Sequence, residues 1–159
     1  MTDLRALLGI LTEAGVRFIL VGGVAAVAHG ATRLTQDIDV VYARDMDNLG
    51  RIVRALASHH PYLRGAPPGL PFLWDERTLL HGLNFPLETE LGDLDLLGEI
   101  VGGGNYEALL PHAIELELFG HRCLCLGLAK LIAVKRAAGR PKDFEAIAEL
   151  ESLWELSRK

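Results

Sequence analysis

The sequence predicts an α+β fold, in which helices pack on a single mixed β-sheet. Two observations indicate it: helix and strand patterns alternate in the first part of the chain, and a hairpin-like β region follows later. The chain has 159 residues, of which half are hydrophobic and 23% are charged. That length and composition suit one domain with a substantial core, so we expect a single domain over residues 1–159.

The first part of the chain alternates between helical and extended hydrophobic patterns. Leucines at positions 4, 7, 8 and 11 recur at helical spacing, and Gly15 ends that pattern. The apolar run at 18–21 is short and β-prone, which is typical of a buried strand. The patterns that follow predict, in order, a short helix over 24–29, a strand over 37–42 and a helix over 45–58.

The second part begins with a loop, because residues 59–71 contain four prolines and two glycines and cannot form a central strand. The patterns after it predict, in order, strands over 83–88 and 93–97, a flexible connection over 98–105, a short helix over 106–112, strands over 113–119 and 123–126, and helices over 128–138 and 142–156. The last helix is amphipathic, and we expect its inward face to carry Phe144, Ile147, Leu150 (or Ala148), Leu153 and Trp154.

Charge and composition exclude several classes of protein. With 16 basic and 21 acidic residues the net charge is −5, so any contact with nucleic acid needs a local patch or metal ions. The longest apolar run, 18–28, is shorter than the roughly 20 residues that cross a bilayer, and the N-terminus has no secretory pattern. Cys123 and Cys125 are too few for a disulfide framework and indicate two small core residues. We expect a cytoplasmic protein without a membrane span.

Two aspartates interrupt an otherwise buried strand pattern. Asp37 and Asp39 lie two positions apart, so both point to one face of the strand, while Ile38 and Val40 point to the other. Two like charges so close repel each other unless a cation lies between them, and Mg²⁺ prefers carboxylate oxygens. The alternative is a strand that ends at the surface, where the pair only caps a turn.

Two further features strengthen the first interpretation. Gly22 and Gly23 follow the strand over 18–21 and open a helix, where a bare backbone can approach a phosphate closely, although tight packing alone explains such a turn equally well. Asp93 and Asp95 lie on one face of the later strand over 93–97. Asp95 is flanked by two leucines and is the better candidate for a third metal ligand or general base, whereas Asp93 follows a glycine in a turn.

A basic segment near the C-terminus adds a candidate phosphate-binding surface. Thirteen residues without an acid contain five cations: Lys130, Lys135, Arg136, Arg140 and Lys142. Such a patch on an acidic protein suits a triphosphate or an RNA backbone. A solvated helix end, where the helix dipole favours cations, is the alternative.

Together these motifs resemble the nucleotidyltransferase superfamily with its polymerase-β-like fold. The resemblance lies in Gly22-Gly23, in the Asp37-Ile38-Asp39 triplet that follows after thirteen intervening residues, and in the later strand aspartate. The segments at 22–41 (GGVAAVAHGATRLTQDIDVV) and 128–147 (LAKLIAVKRAAGRPKDFEAI) are similar to the small bacterial AbiEii-type group, which includes toxins of toxin–antitoxin pairs. The resemblance covers residues 4 to 155.

The resemblance implies a role for each matching residue. Asp37, Asp39 and Asp95 would be the catalytic carboxylates that hold Mg²⁺, as a two-metal site, and Asp95 would help to deprotonate the acceptor. Nucleotide contacts are implied for a further set of residues: Gly22, Gly23, Arg33, Lys130 and Asp143.

The implied reaction is Mg²⁺-dependent transfer of a nucleotide from a nucleoside triphosphate to a hydroxyl of RNA, protein or a small molecule. Many family members carry an added acceptor-binding domain, for which this chain has little length. A partner protein, such as a cognate toxin or antitoxin, or a homodimer would then supply that surface, or the acceptor is small. A non-catalytic antitoxin or interaction module with the same fold is the alternative.

Overall fold

The computed structural model describes residues 2–32 and 35–158, and the bounds that follow refer to them. The helices are α1 (Leu4–Glu13), α2 (Gly22–Ala28), α3 (Met46–Leu56), α4 (Glu76–His81), α5 (Tyr106–Leu109), α6 (Leu128–Ala138) and α7 (Pro141–Ser157). The strands are β1 (Phe18–Val21), β2 (Asp37–Tyr42), β3 (Tyr62–Leu63), β4 (Phe85–Thr89), β5 (Gly92–Leu97), β6 (Glu99–Ile100), β7 (Gly104–Asn105), β8 (Ala113–Leu118) and β9 (His121–Leu126). None of these helices is long and apolar enough to cross a membrane.

Seven strands form one mixed sheet in the order β3-β4-β5-β2-β1-β9-β8, and β6 pairs with β7 in a separate hairpin. β2 pairs with β5 and β1 pairs with β9 in parallel, while the other neighbours in the large sheet are antiparallel. The predicted α+β class with a mixed sheet is therefore confirmed.

The register of the central strands brings the acidic positions into line. In the parallel pair of β2 and β5, Asp37 lies opposite Asp93 and Asp39 lies opposite Asp95. In the antiparallel pair of β1 and β2, Val21 lies opposite Asp39. Directly opposed residues point to the same face of a sheet. The end of β1 and the aspartates of β2 and β5 therefore share one face.

The core lies on both sides of the central strands. All four residues of β1 are buried, as are Ile38 and Val40 of β2, which is typical of strands that helices cover on both faces. Asn48 of α3 is fully buried and ties the helix to the strand ends. Its amide accepts a hydrogen bond from Arg17 N (2.7 Å) and donates to Ala43 O (2.7 Å).

The C-terminal helices α6 and α7 pack against each other, and α6 also contacts α2. Ile147 and Leu150 are buried as predicted, but Phe144 is 61% exposed, so its predicted inward position is wrong. Asp143, Ile147 and Leu150 follow the i, i+4, i+7 spacing of one helix face. A carboxylate therefore occupies the buried position that the hydrophobic pattern assigned to its neighbour Phe144.

Several short elements differ from the sequence predictions. The stretch at 98–105, predicted as a flexible connection, contains the β6–β7 hairpin, and the proline-rich loop contains β3, which pairs only with β4 at the edge of the sheet. α2 begins at Gly22, two residues earlier than predicted. Cys123 and Cys125 are both buried and unpaired, which confirms that they are core residues.

Candidate active site

Three aspartates converge on one face of the sheet. Asp37 and Asp39 come from β2 and Asp95 from β5, and one carboxylate oxygen of each lies within 4.8 Å of the others. The period of two along a strand directs these side chains away from the buried Ile38 and Val40. The structure thus brings together the three aspartates of this carboxylate triad, for which the sequence resemblance implies a catalytic role.

Burial and the neighbouring charges raise the pKa of two groups of the triad, Asp37 and Asp39. Removal from water, a hydrogen bond with Asp95 and the charges of Asp37 and Asp95 raise the pKa of Asp39 to about 8, although Lys135 opposes the shift. Burial and the charge of Asp95 also raise the pKa of Asp37, against the opposing charge of Arg64. The triad is therefore stabilised by a bound proton or by a cation.

The donor set fits a hard divalent cation. Carboxylate oxygens are the ligands that Mg²⁺ prefers. Asp95 Oδ1 is buried and, among the described residues, has no hydrogen-bond partner. Arg64 Nη2 lies 2.9 Å from this oxygen but outside hydrogen-bond geometry. The oxygen is thus available to a metal ion or to a donor on a substrate.

The glycine pair at the start of α2 touches the triad directly. Gly22 has a left-handed backbone (φ +70°), and a Cβ added there would lie 2.1 Å from Asp39 Oδ2. A Cβ on Gly23 would lie 2.7 Å from the hydroxyl oxygen of Thr35. Both contacts are too short for a side chain, so the turn brings bare backbone against Asp39 and Thr35, where a phosphate group could contact its amides.

The triad opens into a cleft of about 640 Å³ between the sheet and the C-terminal helices. On the sheet side the cleft is lined by the glycine pair, by the triad and by the segment that runs from β5 into the β6–β7 hairpin. On the opposite side it is lined by α6, by α7 and by Arg140, the residue that caps the start of α7, and the charged residues there are Lys135, Arg140, Lys142 and Asp143. Carboxylates and cations therefore face each other across the cleft.

Asp143, on the α6–α7 side of the cleft, contacts two of the cations that line it. It is 2% exposed, accepts a hydrogen bond from Arg140 Nε (2.8 Å) and lies 3.9 Å from Lys135 Nζ. Burial alone would raise its pKa, but the hydrogen bonds and charge of Arg140 and the charge of Lys135 hold the pKa of Asp143 below its ordinary value. Asp143 is therefore an anion that fixes two cations at the cleft.

The structure brings Lys135 into the cleft, whereas Lys130, the lysine favoured by the motif comparison, does not line it. The α6 residues in the lining are Leu131, Val134, Lys135 and Ala138. Their i, i+3, i+4, i+7 spacing marks one helix face, and Lys130 lies outside it. The helical spacing in the sequence could have identified Lys135 as the cleft lysine, because Lys135 lies four residues after the buried Leu131 and therefore on the same helix face.

The other predicted residues are distributed as follows. Gly22, Gly23 and Asp143 line the cleft with the triad. Asp93 does not line it and instead pairs with Arg64 Nε at 3.3 Å, so the preference for Asp95 agrees with the geometry. Arg33 lies outside the described residues.

Comparisons with known proteins agree with this fold. No protein-family model matches the sequence, and no relative is found among the curated proteins. Among solved structures, the lincomycin-bound lincosamide antibiotic adenylyltransferase LnuA is similar with a TM-score of 0.63 and 18% identity, covering 96% of this chain and 98% of that one. A Thermotoga maritima protein assigned as a nucleotidyltransferase is similar with a TM-score of 0.57 and 14% identity, covering 96% of each chain.

The chain therefore has the fold of the nucleotidyltransferases, as the sequence resemblance implied. At these identities the likeness concerns the fold, and the finer AbiEii-type assignment stays a prediction. A fold does not determine a chemistry, which depends on the residues of the cleft.

Proposed function

We propose that the protein transfers a nucleotide from a nucleoside triphosphate to a hydroxyl group of an acceptor, with Mg²⁺ as cofactor. The observation that carries this proposal is the convergence of Asp37, Asp39 and Asp95 against the glycine turn at Gly22. A fold role alone does not explain three carboxylates that converge in one cleft, two of them with a raised pKa. The similarity in fold to two nucleotidyltransferases supports the same class of chemistry.

The cation would be held by the triad, with Asp37 and Asp39 as the pair on one strand and Asp95 as the ligand from the next. When bound there, Mg²⁺ supplies positive charge to the phosphate oxygens and aligns the α-phosphate with the attacking hydroxyl. We propose that the triad binds two Mg²⁺ ions, since the resemblance implies a two-metal site.

The remaining cleft residues have separable tasks. The backbone at Gly22 and Gly23 contacts the phosphates, and Lys135 and Arg140 stabilise the negative charge that develops on the leaving pyrophosphate. Asp95 accepts the proton of the acceptor hydroxyl. The hydroxyl oxygen forms a bond to the α-phosphorus as the bond from that phosphorus to pyrophosphate breaks, so the products are a nucleotidylated acceptor and pyrophosphate.

Charge in the cleft favours a small acceptor. The cations among the described lining residues lie on α6, on α7 and at the N-cap of α7, in the half that we assign to the triphosphate. Beyond Asp95 the lining consists of uncharged residues and one further acid, Glu99. An RNA acceptor requires cations for its backbone, so we propose a small hydroxyl-bearing molecule. A toxin–antitoxin role, with RNA or protein as the acceptor, is the competing proposal and rests on the sequence resemblance.

Nucleotide binding is the first experimental test. Each of the four ribonucleoside triphosphates, with and without Mg²⁺, is added to the protein, and the unfolding temperature is recorded. A ligand at one hundred times its Kd adds about 2.7 kcal/mol to the free energy of unfolding, which is readily measured. We expect stabilisation that needs both Mg²⁺ and a triphosphate. No shift with any of the four would favour the non-catalytic alternative.

Transfer is tested with α-labelled triphosphates, Mg²⁺ and three acceptor pools: small hydroxyl compounds, total RNA and cellular protein. The variants Asp37→Asn and Asp95→Asn should lose label transfer by at least about a hundredfold, as is usual for groups that stabilise a transition state. Asp47→Asn, which removes an exposed carboxylate of α3, is the matched control and should transfer normally. Equal labelling by wild type and both cleft variants would refute the proposal.

A further inference from the structure

Arg64 occupies a position that the proposed chemistry does not require. It follows the edge strand β3, and its backbone N–H donates to Pro86 O at 2.9 Å. Pro86 lies opposite Asp95 in the pairing of β4 with β5. Arg64, Pro86 and Asp95 thus form one row across three strands, and at about 4.8 Å per strand the arginine side chain spans roughly 10 Å to reach Asp95.

The guanidinium lies between two carboxylates. Its Nη2 is 2.9 Å from Asp95 Oδ1, its Nε is 3.3 Å from Asp93 Oδ2, and Nη2 also donates a hydrogen bond to Leu87 O at 2.8 Å. The Arg64 side chain is 31% exposed and the Asp95 side chain 19%, so the pair is only partly screened by water. Arg64 is therefore the cation closest to the sheet side of the triad among those described.

The contact with Asp95 is electrostatic and lacks hydrogen-bond geometry. Arg64 Nε and Asp95 Oδ1 are both buried and have no hydrogen-bond partner within the described part of the chain. The hydrogen bonds that Arg64 does make, from Nη2 to Leu87 O and from its backbone N–H to Pro86 O, lie outside the triad. Asp95 can therefore exchange Arg64 for another cation while the arginine keeps its other contacts.

We propose that Arg64 is an internal counter-cation of the carboxylate triad: it balances the charge of Asp95 when no divalent cation is bound, and a divalent cation must displace it from Asp95 in order to bind. This inference rests on the proposed metal site. It assigns to Arg64 a positioning role, through Asp95, and makes the loop after β3 a determinant of cation affinity.

A purely structural role predicts a different result. If Arg64 only fastens the edge strand β3 to the sheet, its loss lowers stability and leaves cation affinity unchanged or weaker. If Arg64 competes with the cation, its loss raises cation affinity because a like charge close to the site is removed. The two interpretations therefore differ in the direction of one measurement.

The experiment measures Mn²⁺ binding to metal-free protein by isothermal titration calorimetry and by the electron paramagnetic resonance signal of free Mn²⁺. Arg64→Met and Arg64→Gln remove the charge, and Arg64→Lys keeps it. Arg122→Met is the matched control, because it breaks an exposed ion pair with Glu115 at the opposite edge of the sheet. Asp39→Asn identifies binding at the triad.

We expect Arg64→Met and Arg64→Gln to bind Mn²⁺ about threefold to tenfold more tightly than wild type, which is the size of a Coulomb repulsion between neighbouring cations that solvent screens almost as strongly as bulk water does. Arg64→Lys and Arg122→Met should stay near wild type. Unchanged or weaker binding in the neutral variants that fold, with wild-type binding intact and abolished by Asp39→Asn, would overturn this inference alone. If wild type itself binds no Mn²⁺ that Asp39→Asn removes, the proposed metal site fails, and the inference with it.

Discussion

Asp39 is the residue at which the stability of the fold and the proposed function make opposite demands, because burial favours the neutral carboxyl group whereas a metal ligand must be ionised. Its burial and the two neighbouring acids, Asp95 and Asp37, raise its pKa to about 8, from an ordinary value of 3.8. The folded protein therefore binds a proton that the unfolded chain releases between those values. Such a group stabilises the folded state fully below about pH 4, and that contribution is lost as the pH rises through 8.

This sign gives a prediction for the protein without divalent cations. In EDTA, the unfolding temperature should fall between pH 5 and pH 8 more steeply for wild type than for Asp39→Asn, which cannot ionise at this position. The variant should also be the more stable of the two at pH 8. Thermal unfolding monitored by circular dichroism measures both, and parallel pH profiles for the two proteins would contradict the prediction. Added Mg²⁺ should flatten the wild-type profile, since the cation replaces the proton.

Gly22 offers a second test at the scale of one residue. Replacement by alanine places a Cβ 2.1 Å from Asp39 Oδ2 on a left-handed backbone, so it should lower the free energy of unfolding by about 2 kcal/mol or more and displace the carboxylate. Gly120→Ala is the control: its φ is +81°, but nothing lies within 4 Å of its Cβ, so it costs only the backbone strain of about 1 kcal/mol. Urea unfolding of both variants separates strain from contact.

At the scale of single elements, the helix α6 decides which lysine faces the cleft. Lys135→Met should weaken binding of a Mg²⁺–triphosphate complex at least about tenfold, because it removes a positive charge that lines the cleft and whose side chain is only 12% exposed. Lys130→Met, on another face of the same helix, should bind nearly as wild type. Calorimetric titration with the nucleotide that gives the largest thermal shift measures both, and the reverse order of effects would restore the assignment made from the motif.

The elements also show which features of the sequence carry structural information. The sequence predicts β1, β2 and α6 with their observed bounds. β1 is a continuous apolar run, β2 has a hydrophobic period of two, and α6 has a period of 3.6, and each pattern is long enough to identify its element. α4 has only six residues, and its one clear signal is the Asp75 side chain that caps it through Thr78 N at 2.8 Å. β3 has two residues, so its pairing with β4 rather than its own sequence defines it.

At the scale of the whole molecule, the candidate site depends on pairings that no local pattern contains. The alternation in β2 and β5 predicts that each presents its aspartates on one face, but not that the two strands are neighbours. Their parallel pairing, with Asp39 opposite Asp95, is a property of the sheet topology. Arg64 was missed for the same reason, since its relation to Asp95 runs through β4 and appears only once the strand order is known.

The cleft itself joins distant parts of the chain, because β1, α2 and β2 form one wall and α6 and α7 form the other. A nucleotide bound between them should therefore stabilise both walls together. Hydrogen–deuterium exchange with Mg²⁺ and a non-hydrolysable triphosphate should show protection at the start of α2 and at the start of α7, where Arg140 and Asp143 lie. The edge strand β8, whose residues do not line the cleft, should exchange as before. Protection confined to the α2 side would show that α6 and α7 do not contact the nucleotide, and the phosphate-binding role proposed for Lys135 and Arg140 would fail while the triad remained.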